Sequence, residues 1–103
     1  DAKLKKRAQK GELPLDGRID LHGLTLEQAH RKFISFLGAH ISKGSRFLLV
    51  VTGKGAGGEG VIRKNFPHWC EESVYARSIL LLQQAAAKHG GAGAFYILLR
   101  RAK

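Results

Sequence analysis

Apolar positions along the chain change their period several times, and these changes predict alternating strands and helices. A first short strand is predicted over Arg18 to Leu21. Apolar residues then recur at steps of three and four, the period of one helix face, at Leu26, Ala29, Phe33, Leu37 and Ile41. The run from Phe47 to Val51 is apolar throughout, as expected of a strand covered by helices.

Local patterns place the ends of the first helix. Thr25-Leu26-Glu27-Gln28 is a capping box, in which the Thr25 hydroxyl accepts from the Gln28 amide while the Gln28 side chain reaches back. Lys43 and Gly44 supply a cationic last turn and a glycine suited to the left-handed residue that ends a helix. We therefore expect a helix that starts at this box and ends by Gly44.

The second half of the chain predicts one more helix and two more strands. The helical positions are Val61, Ile62, Phe66 and Trp69. Pro67 lacks an amide hydrogen, so this helix should kink or end near Phe66. Strands are predicted over Arg77 to Leu82 and Ala94 to Leu99, joined by a link too short for a parallel crossover. The order βαβαββ predicts an α/β fold with a four-stranded mixed sheet.

The length of the chain indicates one domain, and its net charge indicates the kind of partner it binds. The chain has 103 residues, enough for one domain, and its 18 Lys and Arg against 8 Asp and Glu give a net charge of +10. Such a balance is typical of domains that bind nucleic acid, although it also occurs on solvated surfaces without a target. Basic residues in a glycine loop and at the end of the chain favour a nucleic-acid partner.

Residues 1–14 differ in composition from residues 15–103, which we predict to form the folded domain. Basic residues crowd the first ten positions, at Lys3, Lys5, Lys6, Arg7 and Lys10, and Gly11 and Pro14 interrupt any helix. The segment is predicted to be a basic arm that reaches nucleic acid, or a frayed terminus or linker.

Cysteine usage argues against a disulfide-linked protein, and hydropathy argues against a membrane-spanning one. The single Cys70 cannot form an internal disulfide. No stretch reaches the roughly 20 apolar residues that a membrane crossing needs, and the charged start does not resemble a signal peptide. We expect no membrane partner and a cytoplasmic protein.

Two polar motifs follow the first two strands. Asp20-Leu21-His22-Gly23 ends the first strand, and Thr52-Gly53-Lys54-Gly55 follows the second. The carboxyl ends of parallel strands meet at one edge of a sheet, where ligands usually bind, so one shared site is predicted. Asp20 precedes His22 by two residues on the same strand face, which suits a carboxylate that orients an imidazole for proton transfer. The alternative is a loop-capping histidine beside a surface aspartate.

The sequence around the glycine loop does not fit two specific phosphate-binding motifs, the dinucleotide-binding motif and the P-loop. Residues Gly53 to Gly58 match the dinucleotide pattern G-x-G-x-x-G, but the next strand ends without an acidic residue for a ribose, and Glu59 would repel a pyrophosphate. A P-loop would need Ser or Thr after Lys54. Backbone amides and one ammonium group are left to receive the phosphates of a nucleic acid.

Histidine and cysteine spacing predicts no metal site. His30 and His40 are ten positions apart on one helix and face different ways, and His68 and Cys70 do not have a zinc spacing. Asp20 could still help to hold Mg²⁺ together with substrate phosphates, because that ion needs few protein ligands.

Three blocks in order carry a family resemblance: Ile19 to Gly23, Val51 to Gly55, and His89 to Arg101. Each block is weak alone, but all three at these intervals are specific. Over about Leu15 to Arg101 the chain resembles the Smr (small MutS-related) domain in its free-standing bacterial form. The resemblance implies a two-layer α/β sandwich like the C-terminal domain of translation initiation factor 3.

The resemblance also implies a function and a set of site residues. Smr domains include endonucleases that nick DNA or cut RNA, including ribosome-associated messenger. It implies catalytic roles for Asp20 and His22. It implies substrate binding by Gly23, Thr52, Gly53, Lys54, Gly55, Arg100 and Arg101. The sequence thus predicts an Smr-type endonuclease with little sequence specificity; the alternative is a non-catalytic module that binds nucleic acid or ribosomes.

Overall fold

The computed structural model describes residues 2–55 and 60–101. The strands are β1 (Gly17–Asp20), β2 (Phe47–Val51), β3 (Ile79–Gln84) and β4 (Ala94–Leu99). The α-helices are α1 (Ala2–Gln9), α2 (Leu26–Lys43) and α3 (Val61–Glu72). Within these ranges no helix combines the length and the apolar character needed to cross a membrane.

The strands form one mixed sheet in the order β1-β2-β4-β3. β1 runs parallel to β2, whereas β4 runs antiparallel to both β2 and β3. The predicted α/β fold with a four-stranded mixed sheet is therefore confirmed. We call the end of the sheet marked by Asp20 and Val51 the site end, and the end marked by Phe47 and Leu98 the far end.

Helices α2 and α3 pack on one face of the sheet, over a core that includes Phe33, Leu37, Leu48, Val50 and Phe66. The capping box forms as predicted: the Gln28 amide donates to Thr25 Oγ1 and the Thr25 amide to Gln28 Oε1, each at 3.1 Å. Gly44 ends α2 with a φ of 79°. These local patterns fix the orientation of α2, whose first turn faces the site end.

Several predicted boundaries are corrected. Strand β1 spans Gly17–Asp20 rather than Arg18 to Leu21. Of the two outcomes predicted at Pro67, a kink or an end near Phe66, the end is wrong, because helix α3 continues through Pro67 to Glu72. The turn after Pro67 buries Trp69 and Cys70 in the core, and this burial offsets the lost backbone hydrogen bond. Strand β3 begins at Ile79 rather than Arg77, because Ala76–Ser78 form a 3-10 turn.

The segment predicted as a basic arm or linker contains α1. Ala8 of this helix is fully buried against the other face of the sheet, among Phe47, Leu49, Tyr96 and Leu98. Gln83 in β3 also donates its side-chain amide to the Gln9 carbonyl at 3.0 Å. The described part of this segment therefore covers an apolar sheet face that α2 and α3 leave open.

Candidate functional site

The structure brings the two predicted motifs together at the site end. Asp20 pairs with Val51, and the Leu21 amide donates to the Val51 carbonyl at 2.7 Å, so the two following loops start side by side. They border a pocket of about 420 Å³. Its described lining comprises His22, Gly23, Leu24, Thr52, Gly53, Lys54, Gly55, Gly60, Val61 and Ile62. Residues 56–59, which include Gly57, Gly58 and Glu59 of the glycine-rich loop discussed above, lie outside the described residues.

Asp20 and His22 form a hydrogen-bonded pair beside this pocket. Nδ1 of His22 lies 2.6 Å from Oδ1 of Asp20, and the same oxygen accepts the His22 backbone amide at 3.0 Å. An ionised carboxylate only accepts hydrogen bonds, so Nδ1 carries a proton, and in the neutral imidazole the free lone pair is then on Nε2. The imidazole side chain is 69% exposed. The pair therefore presents an accessible base whose tautomer is fixed by the carboxylate.

The contact with His22 keeps the Asp20 carboxylate ionised to a lower pH than an isolated aspartate. Partial burial raises its pKa, but the hydrogen bonds from the His22 side chain and amide outweigh burial, and the pKa falls below 3.8. A lowered folded-state pKa means that the pair contributes stability above the unfolded pKa and loses it as the pH falls through the folded value. Across the neutral range, Asp20 is thus a permanent acceptor for Nδ1.

Gly53 brings the second loop against the histidine. Its φ of 75° lies in the left-handed region, and a Cβ built there would lie 3.1 Å from Cβ of His22. The two loops therefore touch at a point where only glycine fits without displacement.

Thr52 anchors the second loop instead of facing solvent. Its side chain is buried, and its hydroxyl donates to the Gly53 carbonyl at 3.1 Å. The Thr52 and Gly53 amides both donate to the Gly93 carbonyl, at 2.9 and 3.0 Å. These bonds hold the backbone that carries Lys54; direct contact of Thr52 with substrate stays a prediction.

Lys54 is exposed at the rim of the pocket. A Cβ on Gly93 would lie 3.3 Å from Cγ of Lys54, so the β3–β4 loop packs against the aliphatic stem of this lysine. Lys54 and His22 line the same pocket, and the lysine is exposed there. An anion in the pocket would therefore meet a positive charge and a base together.

The structure does not bring Arg100 and Arg101 to this pocket. They follow β4, whose antiparallel direction carries its carboxyl end to the far end of the sheet. There they lie near Gly44 and Arg77. The five residues of β2 span ~13 Å between these ends, as four steps of about 3.3 Å. Arg100 and Arg101 therefore lie outside the pocket that His22 and Lys54 line, and their binding of substrate stays a prediction.

The described residues at the site end supply few metal donors. In the described ranges no three His, Cys, Asp or Glu side chains come together. Asp20 has one carboxylate oxygen engaged by His22, which leaves Oδ2 as a single ligand. Mg²⁺ often binds one or two carboxylates and completes its shell with phosphates and water, so Asp20 fits only an ion carried largely by substrate.

Sequence reasoning missed the support supplied by the β3–β4 loop. His89 Nδ1 bonds to the hydroxyl of the fully buried Tyr96, and that hydroxyl accepts the Ala86 amide at 3.3 Å. These bonds shape the loop that ends at Gly93, whose carbonyl holds Thr52 and Gly53. The block from His89 to Arg101 carries part of the family resemblance, but nothing in the sequence links it to the loop that follows the second strand.

Comparison with known proteins assigns the chain to a family. The family model of the Smr domain matches residues 19–100, most of the sequence and both site motifs. The chain belongs to the Smr family. A relative is the ribosome rescue factor SmrB of Haemophilus influenzae, 30% identical over 96% of this chain. This Smr chain spans only 56% of that relative's length.

Two solved structures share the Smr fold. The stand-alone small MutS-related protein YdaL of Escherichia coli matches with a TM-score of 0.80 and 25% identity, over 98% of this chain and 77% of that one. The Smr domain of Thermus thermophilus MutS2 matches with a TM-score of 0.71 and 24% identity, over 82% of this chain and 98% of that one. The second likeness concerns the fold alone.

Proposed function

We propose that this Smr chain is an endonuclease that cleaves nucleic acid with little sequence specificity, and that RNA is its preferred substrate. The observation that carries the proposal is the Asp20–His22 pair, with its base exposed beside a pocket rimmed by Lys54. Among the described lining residues, a lysine and glycine-rich backbone are suited to phosphates rather than to base edges.

On RNA, Nε2 of His22 removes the proton from a 2′-hydroxyl, and the 2′-oxygen attacks the adjacent phosphorus. The bond to the 5′-oxygen of the next nucleotide breaks, which leaves a 2′,3′-cyclic phosphate and a 5′-hydroxyl. The proton taken from the 2′-hydroxyl ends on the departing 5′-oxygen, so the transesterification is balanced. Asp20 stabilises the imidazolium formed during transfer, and Lys54 offsets charge on the phosphate oxygens.

The names of the relatives suggest a setting for this chemistry. Similar proteins are named ribosome rescue factors, so we propose that this chain acts on RNA associated with ribosomes, in the cytoplasm. The alternative function, a module that binds nucleic acid or ribosomes without cutting, is favoured by the same names and by the charge of +10.

One experiment separates the two functions. End-labelled RNA and supercoiled plasmid are incubated with the wild-type chain and with His22→Ala, purified in parallel so that contaminating nuclease appears equally in both. An endonuclease shortens RNA or nicks plasmid only in the wild-type sample. Equal products in both samples, together with salt-sensitive binding by both, would assign the chain to the binding module.

Lys54→Ala is expected to weaken RNA binding for all sequences and to flatten the salt dependence by about one unit, because one phosphate contact contributes roughly 0.7–0.9 to that slope. The measurement is fluorescence anisotropy of labelled RNA across a salt series. Lys32→Ala, which removes an exposed lysine from α2, is the matched control. Equal slopes for both variants would show that Lys54 contributes only to net charge.

Gly53→Ala is expected to slow cleavage by displacing His22, since the added Cβ would lie 3.1 Å from Cβ of His22. Gly44→Ala, assayed on an RNA too short to reach the Gly44 end of the sheet, is the control: its φ of 79° imposes the same backbone strain, but its Cβ would meet nothing within 4 Å. Both should lower the free energy of unfolding by about 1–2 kcal/mol. Thermal unfolding and single-turnover cleavage are compared, and equal cleavage by the two variants would refute the steric coupling.

A further inference from the structure

A second cationic surface lies at the far end of the sheet. Arg77, Arg100 and Arg101 line one concavity of about 200 Å³ together with Gly44, Ser45 and Ser78. We call these six residues the far-end cleft. All three arginine residues are exposed. The cleft lies at the opposite end of the sheet from His22, so the proposed catalysis does not use it.

The backbone restrains guanidinium groups in this region. Nε of Arg100 donates to the Arg77 carbonyl at 2.7 Å, and the Arg100 amide donates to the Ser78 carbonyl at 2.8 Å. The neighbouring Arg46 is held in the same manner, with Nε donating to the Leu99 carbonyl at 2.8 Å. Each bond uses only Nε and leaves the terminal nitrogens as donors. Such pre-organised forks lose less side-chain entropy when they bind an anion.

The charge of the cleft is not balanced within the described part of the chain. None of its described lining residues is Asp or Glu, and none of the three arginines forms an ion pair there. Asp16 lies near Arg46 but accepts the Arg46 and Phe47 amides, at 2.7 and 3.1 Å. The carboxyl end of α2 offers only about half a negative charge. More than two positive charges are therefore left for a ligand.

We infer that the far-end cleft binds backbone phosphates of a nucleic acid, as a second contact for a strand that reaches the His22 pocket. Arginine forks match phosphate oxygens in pairs. The two cationic sites lie beyond opposite ends of β2, a strand ~13 Å long, and a nucleic acid offers one phosphate per strand about every 3.4 Å of duplex axis. A continuous polyanion can therefore occupy both sites. The inference extends the proposed function, since it states how a longer RNA is held.

The test compares long and short RNA. Arg77→Gln and Arg101→Gln are combined, and Arg100 is kept because its Nε bond supports the backbone. Anisotropy is measured with 20-nucleotide and 4-nucleotide labelled RNA in a His22→Ala background, which prevents cutting during the titration. On the 20-nucleotide RNA the salt slope should fall by about 1.5 units, as expected from two lost phosphate contacts. The 4-nucleotide RNA is too short at that spacing to occupy both sites at once, so its slope should fall much less.

A matched variant controls for net charge. Arg31→Gln combined with Lys32→Gln removes the same charge from exposed positions of α2 and should alter the long-RNA slope much less. An unchanged slope for the Arg77/Arg101 variant would overturn the inference, as would an equal loss in the α2 variant. Binding of polyglutamate in place of RNA would assign the cleft to an acidic protein. Cleavage is measured separately, with chains that retain His22. A chain that binds RNA without cutting it would refute the proposed nuclease activity and leave this test of the cleft unaffected.

Discussion

Replacement of His22 by alanine is expected to reduce RNA cleavage by about 100-fold or more and to leave RNA affinity nearly unchanged, because positioned general bases contribute roughly 10²–10⁴ in rate. The side chain is largely exposed and lies outside the buried core, so the variant should fold. Single-turnover cleavage and anisotropy are measured on the same preparation. A folded variant that binds normally and cuts at the wild-type rate would remove His22 from the mechanism.

Asp20 variants test the pair from its other side. Asp20→Ala should also reduce cleavage by about 100-fold or more, since the imidazole loses its orienting acceptor and the partner of its positive charge. Asp20→Asn is the sharper variant, because an amide can donate to Nδ1 and so favour the tautomer whose Nε2 carries the proton. We expect the asparagine variant to be no more active than the alanine variant. Full activity of Asp20→Asn would show that the tautomer does not matter.

A single 2′-deoxy nucleotide at the scissile position is expected to abolish cleavage there, because the attacking oxygen is missing. Neighbouring positions on the same RNA should still be cut, and they provide the internal control. The measurement is the product ladder of an end-labelled RNA with and without the substitution. Products at the remaining sites should carry a cyclic phosphate and a 5′-hydroxyl.

The opposite result would identify a different nucleophile. If Asp20 helps to hold Mg²⁺ and a water attacks the phosphorus, the deoxy-substituted strand is cut and EDTA abolishes the activity. The described site offers one carboxylate at the pocket, whereas metal-dependent nucleases gather several, and this favours the 2′-hydroxyl route. Persistent cutting of the deoxy strand that EDTA stops would reverse that preference.

Short-range patterns in the sequence predicted the parts of the site that depend on near neighbours. The capping box at Thr25 and Gln28 formed as expected, and β2 and β4 have the predicted bounds. The strand period predicted that Asp20 and His22 share a face. In the structure β1 ends at Asp20, and the two side chains meet because the chain turns and Oδ1 of Asp20 accepts the His22 amide. Family resemblance added the role of the Thr52-to-Gly55 loop, and the shared location of both motifs followed from parallel strands.

Tertiary structure alone decided the features that depend on distant segments. Gly93 holds Thr52 across 41 positions, and Pro67 is tolerated because the helix beyond it buries Trp69. The direction of β4, which separates Arg100 from His22, is an exception, because the short link before β4 already predicted it. Hydrogen bonds between near neighbours depend on a few residues and can be predicted from them. Pairing and burial between distant segments depend on how the whole sheet packs, because each such contact must compensate the entropy of ordering the chain between its partners.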